Sequence, residues 1–329
     1  MVLLLLINNP KTNPYLNLAL EEHFLSDFED DIVILWRNDK SIIIGRNQNA
    51  LEEINRDFVE KSGIPIVRRL TGGGAVFHDL GNVNFTFIQK QEAGVFSDYR
   101  HFIGPVCEFL DTLGVQAQLS GRNDLMIDGM KFSGNAQTVK GGRIMHHGTL
   151  LFDANLNDIS GALNPNRVKM ESKGIQSVRN RVTNIASHLK EPMSVDAFLN
   201  RLSAFFSTEI EDIQEYELSD EDIRKAYSLV KKKYGTWEWN FGQSPEYNFT
   251  QSKRFEFGIV DLWLNVKAGI IAQVGIYGDF LGMMDKSELE KAVLGQRHRR
   301  QDIEEALNRL NINDYISGMD KTQFIDMLF

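Results

Sequence analysis

Arg68-Arg69-Leu70-Thr71-Gly72-Gly73-Gly74-Ala75-Val76-Phe77-His78-Asp79-Leu80-Gly81-Asn82 is the densest stretch of this sequence. A short β-rich run, Ile66 to Arg68, leads into it. Asn82-Val83-Asn84-Phe85-Thr86-Phe87-Ile88, which alternates with strand period, leads out of it. The three glycines therefore sit between extended segments. Lacking Cβ atoms, they let the backbone approach a ligand and reach positive φ, and NH groups presented this way suit a carboxylate or a phosphate. Taken alone, a triple glycine is more often a tight turn or bulge than a ligand loop. Arg68 and Arg69 tilt the balance, because guanidinium groups are good anion partners. No Gly-Lys-Ser/Thr follows, so this is not a Walker A loop, and the spacing is not that of the dinucleotide fingerprint.

Upstream, Val2 to Ile7 reads as a buried strand, and Asn13 followed by Pro14 marks a helix start. Strand-like runs follow at Ile32 to Trp36 and Ser41 to Ile44, then a helix from about Leu51 to Lys61. Downstream, Phe102 to Leu113 has helical spacing and stops at Gly114. Strands are expected around Gln116 to Leu119, Asp124 to Ile127, Met130 to Val139 and Ile144 to Phe152. The fold class is α+β, a mixed sheet with a few helices. Helices are expected again at Ser194 to Ser207 and Ser219 to Lys232, the second opened by a capping-box-like Ser219 and Asp222. Trp237-Glu238-Trp239-Asn240-Phe241-Gly242-Gln243-Ser244-Pro245 ends in turn residues and reads as a boundary. It divides the chain into a domain at 1–245 and a small α+β domain at 246–329. In the latter a meander (Tyr247 to Phe257, Ile259 to Val266, Ile270 to Tyr277) precedes helices at Lys286 to Val293 and Asp302 to Leu310.

Two further constellations carry chemistry. Asn123-Asp124-Leu125-Met126-Ile127-Asp128-Gly129-Met130-Lys131-Phe132-Ser133-Gly134-Asn135 has the form of a hairpin turning at Asp128-Gly129. Lys131 then faces away from Met130 and Phe132. A lone strand lysine usually faces solvent, but this one precedes Ser133-Gly134-Asn135, a second close-approach site. The other constellation is His146-His147-Gly148-Thr149-Leu150-Leu151. Adjacent histidines on a strand point to opposite faces, so the pair is a poor metal site, and one His lining a pocket is the better reading.

With 329 residues, 42% of them hydrophobic and 25% charged, the composition is that of a soluble globular protein. The formal charge of -9 argues against a nucleic-acid binder. Eight acids and no base lie between Glu209 and Asp222, a run read as a solvated helix face with its flanking loop. The segment from Gly161 to Pro192 is polar and basic, six bases against two acids. The single cysteine, Cys107, fits a reducing compartment. Val2 to Ile7 is too short for a signal-peptide core, and no run reaches the roughly 18 to 20 apolar residues of a membrane helix. A cytoplasmic protein with no membrane attachment is expected.

The ordered set Arg-Arg-x-Thr-Gly-Gly-Gly-Ala-Val-Phe-His-Asp-x-Gly-Asn, Asn-Asp-Leu with Lys-x-Ser-Gly-x-Ala-Gln, and His-His-Gly-Thr-Leu-Leu closely resembles the lipoate-protein ligase A family. The resemblance runs from Asn13 through about Lys232, and the Trp-x-Trp-Asn-x-Gly-x-Ser-Pro junction with the roughly 80 residues after it resembles the accessory domain of the bacterial members. It implies a catalytic core similar to the biotin and lipoate ligases, and a two-step reaction. Lipoate (or octanoate) and Mg-ATP give lipoyl-AMP and pyrophosphate, and the acyl group then passes to a lysine. The implied acceptors are lipoyl domains of 2-oxoacid dehydrogenase E2 subunits or the glycine cleavage H protein.

Carried over by motif, Arg69 and the loop Gly72, Gly73, Gly74, Ala75, Val76 and Phe77 would contact the carboxylate end and the adenylate. Asn82, Asn84 and Phe85 would border the nucleotide, and Asn123 and Asp124 would hold adenine and the metal or phosphate. Lys131, with Ser133 and Gly134 beside it, would bridge the activated carbonyl and the phosphate, and His147 would line the lipoyl pocket. The physics agrees. Joining a carboxylate to ATP brings two anions together, so cations and NH donors must converge where charge develops. An acyl-adenylate must be shielded from water, which makes Gly161 to Gly174 the expected lid. Two rivals remain. An ATP-independent octanoyl or lipoyl transferase would need a cysteine nucleophile, and Cys107 lies in an apolar helical context instead. A non-catalytic lipoate-binding protein would not need Arg69, Asp124 and Lys131.

Overall fold

The computed structural model describes residues 4–48, 50–92, 94–121, 123–163, 182–210, 212–240, 249–267, 270–298 and 300–329. In chain order its strands are β1 (Leu4–Asn8), β2 (Asp31–Trp36), β3 (Ser41–Ile44), β4 (Ile66–Arg68), β5 (Val76–His78), β6 (Asn82–Lys90) and β7 (Gln118–Ser120). They continue with β8 (Asp124–Ile127), β9 (Met130–Lys140), β10 (Arg143–Leu151), β11 (Ile213–Glu215), β12 (Phe249–Phe255), β13 (Gly258–Lys267) and β14 (Ile270–Gly278). Eight of them form one sheet in the order β11-β1-β2-β6-β10-β9-β8-β7, parallel from β11 to β2 and antiparallel thereafter. A smaller sheet, β4-β3-β5, carries the glycine loop between β4 and β5.

Burial on both faces explains why β2 reads as an unbroken apolar run rather than an alternating one. Val33 and Leu35 enter a core shared with the helices Tyr99–Thr112 and Val195–Glu209, through Val106, Phe109, Phe198 and Phe206. Ile32, Ile34 and Trp36 enter the opposite core, with the Pro14–Asp27 helix and Ala226 of the Asp220–Leu229 helix. The sheet is thus covered by helices on both sides. The expected helix starts are present: the Asn13 side chain accepts from Leu16 N at 3.1 Å, the Ser194 side chain accepts from Ala197 N at 3.2 Å, and Ser219 and Asp222 form a reciprocal capping box.

Three expectations change. The helix expected from Leu51 to Lys61 is two shorter ones, Ala50–Glu53 and Arg56–Ser62. The acidic run is not only a helix face and loop. Its Ile213–Glu215 segment is the edge strand β11, with Ile213 facing the core and Tyr216 N bonded to Leu6 O at 2.9 Å. Charged residues along an outer edge oppose further strand pairing. The β5 strand, directly after the glycines, was not expected at all. The proposed lid, Gly161 to Gly174, lies outside the described residues from 164 onward, as does the junction at 241–248.

The C-terminal meander β12-β13-β14 packs with the Ser287–Val293, Arg300–Ala306, Ile312–Tyr315 and Lys321–Asp326 helices around a core of its own. It meets the rest of the chain at the glycine loop. Gly278 N donates to Asn47 O at 2.7 Å, Gly73 N to Phe280 O at 3.4 Å, and Arg46 pairs with Asp285 at 2.5 Å. Among the described residues no helix is long and apolar enough to cross a membrane.

Candidate active site

The glycine loop is held from within by Arg69. Its buried guanidinium donates to Thr71 Oγ1 (2.9 Å), Ile43 O (3.1 Å), Gly72 O (2.6 Å) and Gly74 O (2.8 Å). Loss of solvation lowers its pKa to about 10, with Glu21 opposing that shift, so it stays charged at neutral pH. Arg68 points the other way and lies outside the anion site the sequence suggested for it. It donates to Gly45 O (2.9 Å), Gln48 O (2.6 Å), Trp239 O (3.0 Å) and Asn240 O (2.9 Å), while its own carbonyl accepts from Trp239 Nε1 at 2.8 Å. The Trp239-Asn240 pair, read in sequence as a boundary, is therefore a clasp on β4. Lys233 Nζ sits 4.0 Å from the centre of the Trp239 ring and holds the clasp from outside.

Glycine is required in this loop for two reasons. Gly73 has φ +92°, in the left-handed region. A Cβ on Gly45 would lie 2.0 Å from Gly73 O, and one on Gly72 would lie 2.3 Å from Phe280 O. Three backbones are stacked here with no side chain between them.

Beside the loop opens a cavity of about 520 Å³. Gly73, Gly74, Ala75 and Val76 form one wall; Asn123, Asp124, Lys131 and Gly134 form another; Leu18, Trp36 and Ile43 supply apolar surface. The β8–β9 hairpin turns at Asp128 (φ +50°) and Gly129 (φ +78°), the two positive φ values of a type I′ turn. Phe132 is fully buried on one face of β9, and Lys131 lines the cavity on the other, with its Nζ 2.8 Å from Asp124 Oδ1. Gly134 makes room for that pair, since a Cβ there would stand 3.1 Å from Lys131 Nζ. Asn123 Nδ2 donates to Asn135 O at 2.6 Å and fixes the entry to β8.

The histidines divide as their alternation required. His146 is stacked between Phe85 and Phe102 in the core, where burial keeps it neutral. His147 lines the cavity and belongs to a directed chain. Trp36 Nε1 donates to Thr86 Oγ1 (2.9 Å), which donates to Glu21 Oε1 (2.6 Å); the same oxygen lies 2.9 Å from His147 Nδ1. On the other side His147 Nε2 lies 2.7 Å from Thr71 Oγ1, which accepts from Arg69 Nε. Because Thr71 accepts from Arg69, its hydroxyl is free to donate to Nε2. A carboxylate oxygen can only accept, so the Nδ1 proton of His147 is directed at Glu21. His78 also faces the cavity. Burial, then the nearby Arg69 and His147, lower its pKa to about 3, and its Nε2 has no partner in the protein. Asn84 Nδ2 is likewise unpartnered.

Of the residues singled out in sequence, Arg69, Gly73, Gly74, Ala75, Val76, Asn84, Asn123, Asp124, Lys131, Gly134 and His147 meet on this cavity. Five stand one layer back. Gly72 abuts Phe280, Phe77 packs with Ile42 and Ile66, and Phe85 lies in the main core. Asn82 donates to Asn84 Oδ1 at 2.9 Å, and Ser133 Oγ accepts from Asn135 Nδ2 at 3.1 Å. Sequence reading missed Glu21 and the contribution of the C-terminal domain, whose Arg254, Glu256, Phe257, Gly258 and Asp279 complete the wall. Glu21 could have been found: Glu21, Glu22 and His23 are buried inside a helix flanked by Leu18, Leu20, Phe24 and Leu25, an unusual place for charge.

The chain matches the lipoyl protein ligase A/B catalytic domain family over residues 13–207. It is 43% identical to the lipoate-protein ligase LplJ of Bacillus subtilis, over 99% of this chain and 100% of that one. The chain belongs to the lipoate-protein ligase family. A second match, to the bacterial lipoate protein ligase C-terminus, spans residues 244–328. Lipoate-protein ligase 1 of Staphylococcus aureus is 40% identical over 98% of each chain. Among solved structures, P. falciparum LipL1 in complex with lipoate superposes with a TM-score of 0.75 at 26% identity, covering 99% of this chain and 97% of that one. A lipoate-protein ligase A bound with ATP gives 0.63 at 31% identity over 73% and 98%. The family's chemistry is an ATP-dependent ligation of lipoate to protein, and this chain is an enzyme of that class. For a ligase Cys107 has no catalytic part to play. Burial, then Asp111 and Glu108, push its thiol up to about 11, the reverse of an activated nucleophile. Cys107→Ser is expected to retain ligation within about twofold; a loss beyond tenfold in an acceptor-lipoylation assay would restore the transferase alternative.

Proposed function

We propose that both half-reactions of this lipoate ligase take place in the cavity beside the glycine loop. The observation that supports this is a convergence: the Gly73–Val76 backbone and the Lys131–Asp124 pair face one space whose remaining surface, Leu18, Trp36 and Ile43, is apolar. The C8 tail of lipoate occupies the apolar side. At about 0.8 kcal/mol per buried CH2, its roughly six such groups contribute about 5 kcal/mol of affinity. Its carboxylate is directed at the glycine loop. There a carboxylate oxygen attacks the α-phosphorus of ATP and pyrophosphate leaves. Lys131 places its charge where negative charge develops on the phosphoryl and carbonyl oxygens. In the second step a lysine amine of the acceptor attacks the acyl carbonyl and AMP leaves. Arg69 acts by fixing the loop's shape, and Asn84 and Asn123 border the nucleotide.

Asp124 is the carboxylate placed to hold Mg2+. A single carboxylate suffices for Mg2+, which takes most of its ligands from phosphates and water and only one or two from carboxylates. The ion would lower the charge repulsion between the two substrates. The acceptors we assign are the lipoyl domains of 2-oxoacid dehydrogenase E2 subunits and the H protein, and the compartment is the cytoplasm. An archaeal relative of this fold, at 32% identity and TM-score 0.64 over 75% of this chain and 99% of that one, was solved as part of a lipoylation system with its E2 lipoyl domain. The test is pyrophosphate exchange into ATP, expected only when lipoate or octanoate is present. Absence of exchange at saturating Mg2+, or exchange without either acid, overturns the reading.

A further inference from the structure

We propose that Arg254, on β12 of the C-terminal domain, binds the phosphates of ATP and so determines the affinity of the first half-reaction for its nucleotide. The proposal rests on the cavity being the adenylation site. Arg254 lines that cavity across the domain boundary. Its position is tied to the glycine loop by a short path. Arg254 pairs with Ile259 across β12 and β13, Ile259 N donates to Asp279 Oδ1 at 2.5 Å, and the adjoining Phe280 places its carbonyl against Gly72 and accepts from Gly73 N.

Three cations line the cavity among the described residues, and two of them are already committed. Arg69 is bound to three carbonyls and a hydroxyl, and Lys131 to Asp124. Arg254 Nη1 is shielded from solvent and has no hydrogen-bond partner. A buried, unmet guanidinium donor is costly to leave so, and a bound anion relieves it. Charge supports the same assignment. Asp124, Glu256 and Asp279 on the wall offset the three cations one for one, so without Arg254 the chamber is net negative toward a nucleotide that stays anionic after Mg2+ offsets part of its charge. Of the two anionic substrates, the phosphates offer the oxygen pairs that a guanidinium fork matches, several times over.

The experiment compares Arg254→Ala and Arg254→Lys with the unaltered full chain in two assays: pyrophosphate exchange with ATP and lipoate varied separately, and transfer from supplied lipoyl-AMP to an acceptor domain. The expected result is a KM for ATP raised about tenfold or more in Arg254→Ala, the scale of one lost charge-assisted hydrogen bond, and partly recovered in Arg254→Lys. The KM for lipoate and the transfer step stay within twofold. An unchanged KM for ATP, a rise in the KM for lipoate instead, or an equal loss in both assays overturns the proposal. If Arg254→Ala does not fold, Arg254→Lys decides by the same readouts. Lys131→Ala run alongside separates the failures: loss of exchange there with no effect at Arg254 leaves the site assignment standing and removes only Arg254.

Discussion

Lys131→Ala lowers lipoyl-AMP formation by about 10²–10³-fold, the cost of removing one preorganised group aimed at developing charge. Two effects add. The cation is lost, and Asp124 loses the partner that held its Oδ1 at 2.8 Å, so the carboxylate assigned to Mg2+ is no longer fixed in place. Folding is not the reason for the loss. Both side chains of the pair are 37% exposed, and pairs of that kind contribute about 0–1 kcal/mol to stability, so the circular dichroism melt stays close to that of the unaltered protein. Lys131→Arg is expected to restore the rate only in part, because a planar guanidinium fork places its charge differently from the compact ammonium that meets Asp124 at 2.8 Å. Exchange at the unaltered rate in Lys131→Ala would exclude the residue from the chemistry.

Glu21→Ala produces the largest combined effect on stability and substrate binding. One buried carboxylate oxygen accepts from both Thr86 Oγ1 and His147 Nδ1, and its removal leaves two donors unmet away from water. At about 1–3 kcal/mol for each unsatisfied buried group, the chain loses on the order of 2–6 kcal/mol. Urea unfolding measures this directly. Glu21→Gln retains an acceptor oxygen and loses less. In Glu21→Ala nothing remains to accept from His147 Nδ1, so the ring and the Thr71 hydroxyl it meets at 2.7 Å lose their fixed orientation. The KM for lipoate is expected to rise about tenfold in Glu21→Ala, with a smaller change for ATP. Equal changes for the two substrates would place the chain of contacts outside the acyl pocket.

Much of this architecture was legible in the sequence because it rests on local rules. Asn13-Pro14, Ser194 and the Ser219/Asp222 pair announce their helices through backbone groups they cap within three residues. Asp128-Gly129 announces its hairpin through the positive φ that two-residue turns demand. The parity of adjacent strand residues sent Lys131 and His147 to the cavity and Phe132 and His146 to the core. What sequence could not supply is the set of contacts between segments far apart in the chain. Nothing local to Arg68 says that its donors end on Gly45, Gln48, Trp239 and Asn240. Nothing in the acidic run marks Ile213 as the residue that turns it into a strand beside β1. Arg254 and Asp279 enter the site only because a separate core brings their sheet against the glycine loop.

The stack of Gly45, the Gly72–Gly73 loop and Phe280 behaves as a shim made of main chain alone. Side-chain layers between packed elements absorb small errors by changing rotamer, and this one has no rotamers to change. The spacing between the end of β3, the glycine loop and the C-terminal domain is therefore set by covalent geometry and van der Waals radii. A methyl group added at position 45 or 72 displaces all three at once. Chimaeras that exchange the C-terminal domain consequently inherit a tolerance problem at Phe280: a donor whose backbone sits a few tenths of an ångström away will misplace a glycine loop it never touches with a side chain.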